Sequence, residues 1–180
     1  GNGDCTNNDA LNLNFSLTGA PTLVNDRHNR PSQALGFNGT SQYSEIFKEV
    51  IPGQPFTISF WMDPGNLTLY DHEIMTSYFS NTGYDITLRV DNNDASKYYI
   101  NVFHVGPAGV TNLSPTTSYL PSADAGDTWI SISMTFDGTT FKIFRDGIEI
   151  ISNSVTTAIP LRAGQRFGIG GDEVKHFNGK

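Results

Sequence analysis

An all-β sandwich of two antiparallel sheets is the fold class this 180-residue chain predicts. Three observations predict it. Apolar and polar residues alternate over short runs, the period of a strand with one buried face. The runs are bounded by Gly, Pro, Asn and Asp, and the chain carries 18 Gly and 9 Pro, as a β-fold with many turns requires. No stretch repeats apolar residues at i, i+3 and i+4 for the length of a helix; a single helical turn is expected near 122–127.

The clearest run is TWISISMTFDGTTFKIFRDGIEI, residues 128–150. Ile130, Ile132, Met134 and Phe136 share one side, and Ser131, Ser133 and Thr135 the other. Asp137-Gly138 supplies the conformation of a tight reversal. Phe141 and Ile143 restart the alternation, Asp146-Gly147 turns again, and Ile148 and Ile150 follow. A three-stranded antiparallel meander is predicted.

The other elements follow in order. Leu11, Leu13 and Phe15 alternate as a first strand, and 21–25 reads as a second. DRHNRPSQ, 26–33, is a polar loop. Strands are expected at 34–37 and 43–47, around the turn Asn38-Gly39. In QPFTISFWMDP, 54–64, Phe56, Ile58, Phe60 and Met62 take one face, and Thr57, Ser59 and Trp61 the other. Strands at 69–79, 84–90 and 98–105 are separated by SNTG and DNNDAS. The stretch 106–127 reads as a long loop with one short strand, and TTAIPL and QRFGIGG come after the meander. Residues 1–9 read as a polar tail and 10–180 as one domain, with no linker or repeat.

Composition narrows function. A formal charge of −7 disfavours nucleic acid and anionic membrane as partners. No apolar run approaches the length of a bilayer span. One cysteine, Cys5, allows no intrachain disulfide.

Four stretches taken together carry a resemblance: DRHNRPSQALGFNGTSQY (26–43), FTISFWMDP (56–64), TWISISMTFDGTTFKIFRDGIEI (128–150) and FGIGG…HFNGK (167–180). Their order and spacing resemble the laminin G-like and pentraxin-like branch of the concanavalin A-like lectin/glucanase superfamily. The resemblance implies a jelly-roll and an extracellular or cell-surface setting, with the chain as an adhesion or carbohydrate-binding module among other domains of a larger surface protein. In relatives the FNGK pattern runs directly into a final strand. This sequence stops at Lys180, so the expectation is that the natural protein continues beyond it or that another element fills that strand's place; a missing strand leaves a sheet edge or slot to which another chain can add.

Catalysis is tested by the superfamily's glucanases, which the resemblance associates with Glu-x-Asp-x-(x)-Glu on one strand, the two Glu acting as nucleophile and acid/base. EIFKE, 45–49, places Glu45 and Glu49 at the shorter spacing, but Phe47 stands where the Asp belongs. A solvated strand edge is the simpler reading of Glu45. His28, His72, His104 and His176 are scattered, and no Gly-x-Ser-x-Gly elbow occurs. No catalytic residue is assigned.

For a metal, the resemblance points to the 26–33 loop, where related domains carry calcium. Asp26 and Asn29 are the candidate oxygen donors, against the alternative that both bond their own turn. For a sugar, Trp61 is the candidate stacking platform, against the alternative that a loop covers it. Tyr70 and Tyr84 are further aromatic candidates, with His72, Asn81 and Asn112 as hydrogen-bonding partners. The expected function is non-catalytic recognition of a glycan or glycoprotein. The other classes are a polysaccharide-active hydrolase or lyase, and a structural spacer without a ligand.

Overall fold

The computed structural model describes residues 15–47, 55–65, 71–77, 83–90, 98–106, 109–113, 128–154, 166–171, 173 and 175–180. The tail at 1–9, Leu11 and Leu13, the helical turn near 122–127, DNND at 91–94 and TTAIPL lie outside the described residues. Among the described residues the structure is all β, with no helix. None is therefore long and apolar enough to cross a membrane.

The strands are β1 (Ser16–Thr18), β2 (Thr22–Val24), β3 (Ala34–Asn38), β4 (Tyr43–Ile46), β5 (Phe56–Met62), β6 (Asp71–Thr76) and β7 (Gly83–Val90). They continue with β8 (Tyr98–Gly106), β9 (Gly109–Asn112), β10 (Ile130–Phe136), β11 (Thr140–Arg145), β12 (Ile148–Ser154), β13 (Phe167–Ile169) and β14 (Asn178–Gly179). One layer is a seven-stranded sheet in the order β1-β4-β13-β6-β7-β8-β9. The other is built from two pieces, β12-β11-β10-β5 and β14-β3-β2. Residues 178–180 join them: Asp63 and Lys180 exchange two backbone hydrogen bonds of 2.9 Å, and Gly65 donates to the Asn178 carbonyl at 2.9 Å.

The core lies between the layers, and alternation decides who enters it. Along β10, Ile130, Ile132, Met134 and Phe136 are buried while Ser131, Ser133 and Thr135 are half-buried on the other side. They meet Met62, Phe141, Ile143 and Ile151 from their own sheet and Ile74, Met75, Ile100, Val102 and Phe167 from the facing one. Burying these side chains is the main favourable term, about 1.5–3 kcal/mol for each large aliphatic or aromatic residue.

The meander is present, with one change. At the first reversal the Asp137 carboxylate accepts the Thr140 N–H at 2.7 Å and the Thr139 N–H at 2.8 Å. These bonds favour the ionised form and hold its pKa below the usual carboxylate range. At the second, Asp146 and Gly147 both take positive φ, 49° and 82°, the pair of values a two-residue hairpin requires. Beyond it a β-bulge between Ile143 and Phe144 slips the register by one residue, and one extra residue reverses which side chains face inward. Ile151, opposite Ile143, is therefore the buried residue at 3% exposure, and the sequence-predicted Ile148 is 70% exposed.

Candidate functional site

The outer faces of the two layers differ. On the seven-stranded sheet, Glu45 of β4 lies opposite Gly168 of β13, which lies opposite Thr76 of β6. The loop after β13 folds over this row: a Cβ on Gly168 would sit 2.7 Å from the Gly171 carbonyl oxygen and 3.0 Å from the Thr76 methyl, so only glycine fits. Arg166 reaches Glu45 at 3.0 Å and Glu173 at 3.3 Å, and lies 5.9 Å from the centroid of the Tyr43 ring. Tyr43 in turn contacts the His176 ring at 6.1 Å. Lys175 approaches Glu73 at 3.8 Å. Glu73, Thr76, Ser77 and Asn101 are all buried.

This corrects the reading of Glu45 as a solvated edge residue. β4 is flanked by β1 and β13, and the Glu45 side chain is 13% exposed. The signal for its partner was Arg166, within QRFGIGG and just before β13, but nothing local ties position 166 to position 45. Glu49 lies outside the described residues. Glu73, which the sequence did not single out, is the second acid on this face. Each acid faces a cation, and two strand spacings across the sheet separate β4 from β6.

On the outer face of the four-stranded sheet, the β5 side chains Thr57, Ser59 and Trp61 are exposed. Thr57, Ser59 and Trp61 of β5 stand opposite Thr135, Ser133 and Ser131 of β10. The Ser59 hydroxyl donates to that of Ser133 at 2.9 Å. A lane of hydroxyl groups thus leads to a tryptophan that is 45% exposed. The Arg27 guanidinium lies 4.2 Å from the centroid of the Trp61 ring, a cation–π distance. Trp129 and Gln33 line the same recess as Trp61 and Arg27. Among the described residues, the 26–33 loop reaches Trp61 through Arg27, a contact the sequence reading passed over because position 27 lies far from the strand it touches.

The 26–33 loop is held by its own charges. Asp26 Oδ1 accepts the His28 N–H at 2.9 Å and the Arg30 N–H at 3.0 Å. Asp26 Oδ2 accepts Arg30 Nε at 2.8 Å and pairs with Nη2 at 2.6 Å. The Arg30 side-chain bond is the largest cause of an Asp26 pKa lowered to about 2. Asn29 adopts φ 58° and its N–H donates to the Asp26 carbonyl at 2.9 Å, a left-handed position asparagine tolerates. These residues do not fit calcium: both carboxylate oxygens already serve a guanidinium and the turn. No group of three or more His, Cys, Asp or Glu side chains placed to hold a metal occurs among the described residues.

The remaining sequence-predicted residues are dispersed. His72 is a correction: it is buried, opposite Leu88, in a row that ends at Ile100 of the core. The strand Asp71–Thr76, within the one expected at 69–79, turns it inward, where it had been a candidate hydrogen-bonding partner for a sugar. Tyr84 lies in β7 opposite His104, and Asn112 ends β9 opposite Phe103. Both are in the other sheet from Trp61. Tyr70 and Asn81 lie outside the described residues.

The family model described as the concanavalin A-like lectin/glucanases superfamily matches residues 38–180. No curated protein is similar enough in sequence to count as a relative. Among solved structures, domain 4 of AbnA, a GH43 extracellular arabinanase from Geobacillus stearothermophilus in complex with arabinotriose, is 16% identical with a TM-score of 0.75. That comparison covers 99% of this chain and 84% of that one. The receptor-binding domain of botulinum neurotoxin C/D mosaic serotype is 14% identical with a TM-score of 0.67, covering 96% of this chain and 44% of that one. A botulinum neurotoxin type C structure, described with cell entry dependent upon interaction with two ganglioside molecules, is 13% identical with a TM-score of 0.66. The coverage there is 97% and 40%. The chain thus spans most of the arabinanase domain and less than half of either toxin chain. At these identities the likeness establishes the fold alone. The matched family model covers most of the chain, which belongs to the concanavalin A-like lectin/glucanase superfamily.

Proposed function

We propose that this chain is a non-catalytic glycan-binding module whose ligand lies on the outer face of the four-stranded sheet, against Trp61. The observation that carries the reading is the half-exposed Trp61 ring with Arg27 stacked on it, at the end of a lane of hydroxyl groups. An indole offers a flat apolar surface to the C–H side of a sugar ring. A guanidinium stacked on an aromatic ring keeps its in-plane N–H donors for sugar oxygens, and Ser59, Ser131 and Ser133 donate and accept beside them.

Two comparisons lend support: an arabinanase domain of this fold was solved with arabinotriose, and a toxin of this fold is described with gangliosides. The proposal extends to an exported or cell-surface protein in which this module sits beside other domains. The half-buried Glu45 and the buried Glu73 act as partners of Arg166 and Lys175 and take no part in bond cleavage.

Affinity electrophoresis in gels carrying arabinan, xylan or mixed-linkage β-glucan tests the reading. The native chain is expected to be retarded by at least one polysaccharide, Trp61→Ala to migrate freely, and neither to release reducing sugar. Equal retardation of the variant would remove Trp61 from the site, and released sugar would overturn the non-catalytic assignment.

A further inference from the structure

The two arginines of the 26–33 loop are placed differently. Arg30 is committed to the loop's one acid: Asp26 Oδ2 accepts its Nε at 2.8 Å, and Oδ1 accepts its N–H at 3.0 Å. Arg27 instead lays its exposed guanidinium on the indole of Trp61, 4.2 Å from the ring centroid. A ring face attracts a cation but leaves its charge unneutralised. Lys180 lines the same recess, with its Nζ 2.9 Å from Asp63 Oδ2. Two ion pairs and one further cation, Arg27, therefore stand around the recess. The chain's formal charge of −7 does not decide what binds there, because screening limits the reach of a charge to about 8 Å at physiological salt.

The apolar side of the recess is double. Trp129 stands two residues before Ser131, which lies opposite Trp61. The two indoles are thus diagonal neighbours on the outer face, within reach of each other. Trp129 is half-buried, and Trp61 is 45% exposed. The cavity that they line with Arg27 has a volume of about 300 Å³. That is the lower end of small-molecule sites, roughly 300–1,000 Å³, and suits one sugar unit of a longer chain.

We propose that this recess selects an acidic sugar, a unit whose ring lies against the indoles and whose carboxylate is bound by Arg27. The inference rests on the glycan reading above and names the class of ligand within it. The stacked guanidinium keeps its N–H donors in its own plane, and that fork matches the two oxygens of a planar carboxylate. Contact with Trp61 already fixes the head of the side chain, so binding costs little of its remaining freedom. A neutral sugar would cover the indoles and leave the charge of Arg27 unanswered. A uronic acid meets both.

Isothermal titration calorimetry on the full chain tests the proposal with oligosaccharides of galacturonate, glucuronate and mannuronate, each beside its methyl ester. The ester keeps the ring and its hydroxyls and removes the charge. At least one acid is expected to bind at least about tenfold more tightly than its ester, the scale of one charge-assisted contact. Arg27→Gln, with its circular dichroism spectrum unchanged, is expected to bind acid and ester alike. On the native chain, raising the salt to about 1 M shortens screening to about 3 Å and is expected to narrow the same gap. Esters bound as tightly as acids would overturn the proposal and leave the glycan reading standing. So would a preference for acid that survived Arg27→Gln. Equal, Arg27-dependent binding of a sulfated glucan oligosaccharide would make the site one for any anion and overturn the carboxylate assignment. If no acid or ester binds, the proposal falls, and the neutral polysaccharides of the electrophoresis experiment decide separately whether the glycan reading falls with it.

Discussion

The Arg27 guanidinium lies 4.2 Å from the centroid of the Trp61 ring, joining a loop of one sheet piece to the exposed face of another. The contact is worth about 0.5–1 kcal/mol at an exposed site. Arg27→Ala is therefore expected to lower the unfolding free energy by no more than about 1 kcal/mol in equilibrium urea denaturation. A larger loss would mean that Arg27 holds the loop itself. Trp61→Ala is expected to cost little more, because much of the ring is already in solvent.

The β-bulge in the third strand of the meander makes a paired prediction. Ile151→Ala removes a buried side chain opposite Ile143 and is expected to cost about 2–5 kcal/mol. Ile148→Ala removes an exposed one and is expected to fall within about 0.5 kcal/mol of the native chain. Urea denaturation of both variants checks the register, and the reverse order of effects would rule out the bulge.

Glu45→Gln leaves Arg166, itself 14% exposed, without its shorter carboxylate contact. Losing one partner of a largely desolvated pair is expected to cost roughly 1–3 kcal/mol. Glycan binding on the opposite layer is expected to be unchanged, which separates the two faces by experiment. A variant that lost glycan affinity while keeping its melting temperature would move the binding site to the Glu45 face.

Asp26 carries a pH dependence with a defined sign. Its folded pKa, about 2, lies below the unfolded value of about 3.9. Its contribution is therefore present above about pH 4 and is lost as pH falls toward 2. Arg30→Gln removes the largest cause of that shift, so native and variant melting temperatures are expected to converge over this window, and more salt is expected to shrink the difference. Because Arg30 supplies the positive charge at Asp26, a chelator is expected to leave the native melting temperature unchanged. A drop on chelation, reversed by calcium, would contradict this, since an ion bound only to the folded chain raises stability.

Period-two alternation placed the core of β10 and β11 correctly, because inward and outward faces are written directly in residues 130–143. The bulge was not legible: an extra residue in β12 changes no local composition, and only the pairing with β11 reveals it. The same holds for Glu45, whose neighbour Gly168 and partner Arg166 come from a segment more than 120 residues later. His72 was misread as a ligand partner because of its polarity, whereas its place in the strand turns it inward. Trp61 was legible as outward-facing from Thr57 and Ser59 beside it. Its arginine was not, since loops carry no periodicity from which a contact can be read.

Glycan microarray profiling of the native chain beside Trp61→Ala tests the binding account most directly. The account predicts a defined set of glycans bound by the native chain and lost or weakened at least about tenfold in the variant, with both proteins folded. An identical set of signals from the variant, or no signal from the native chain, would contradict it.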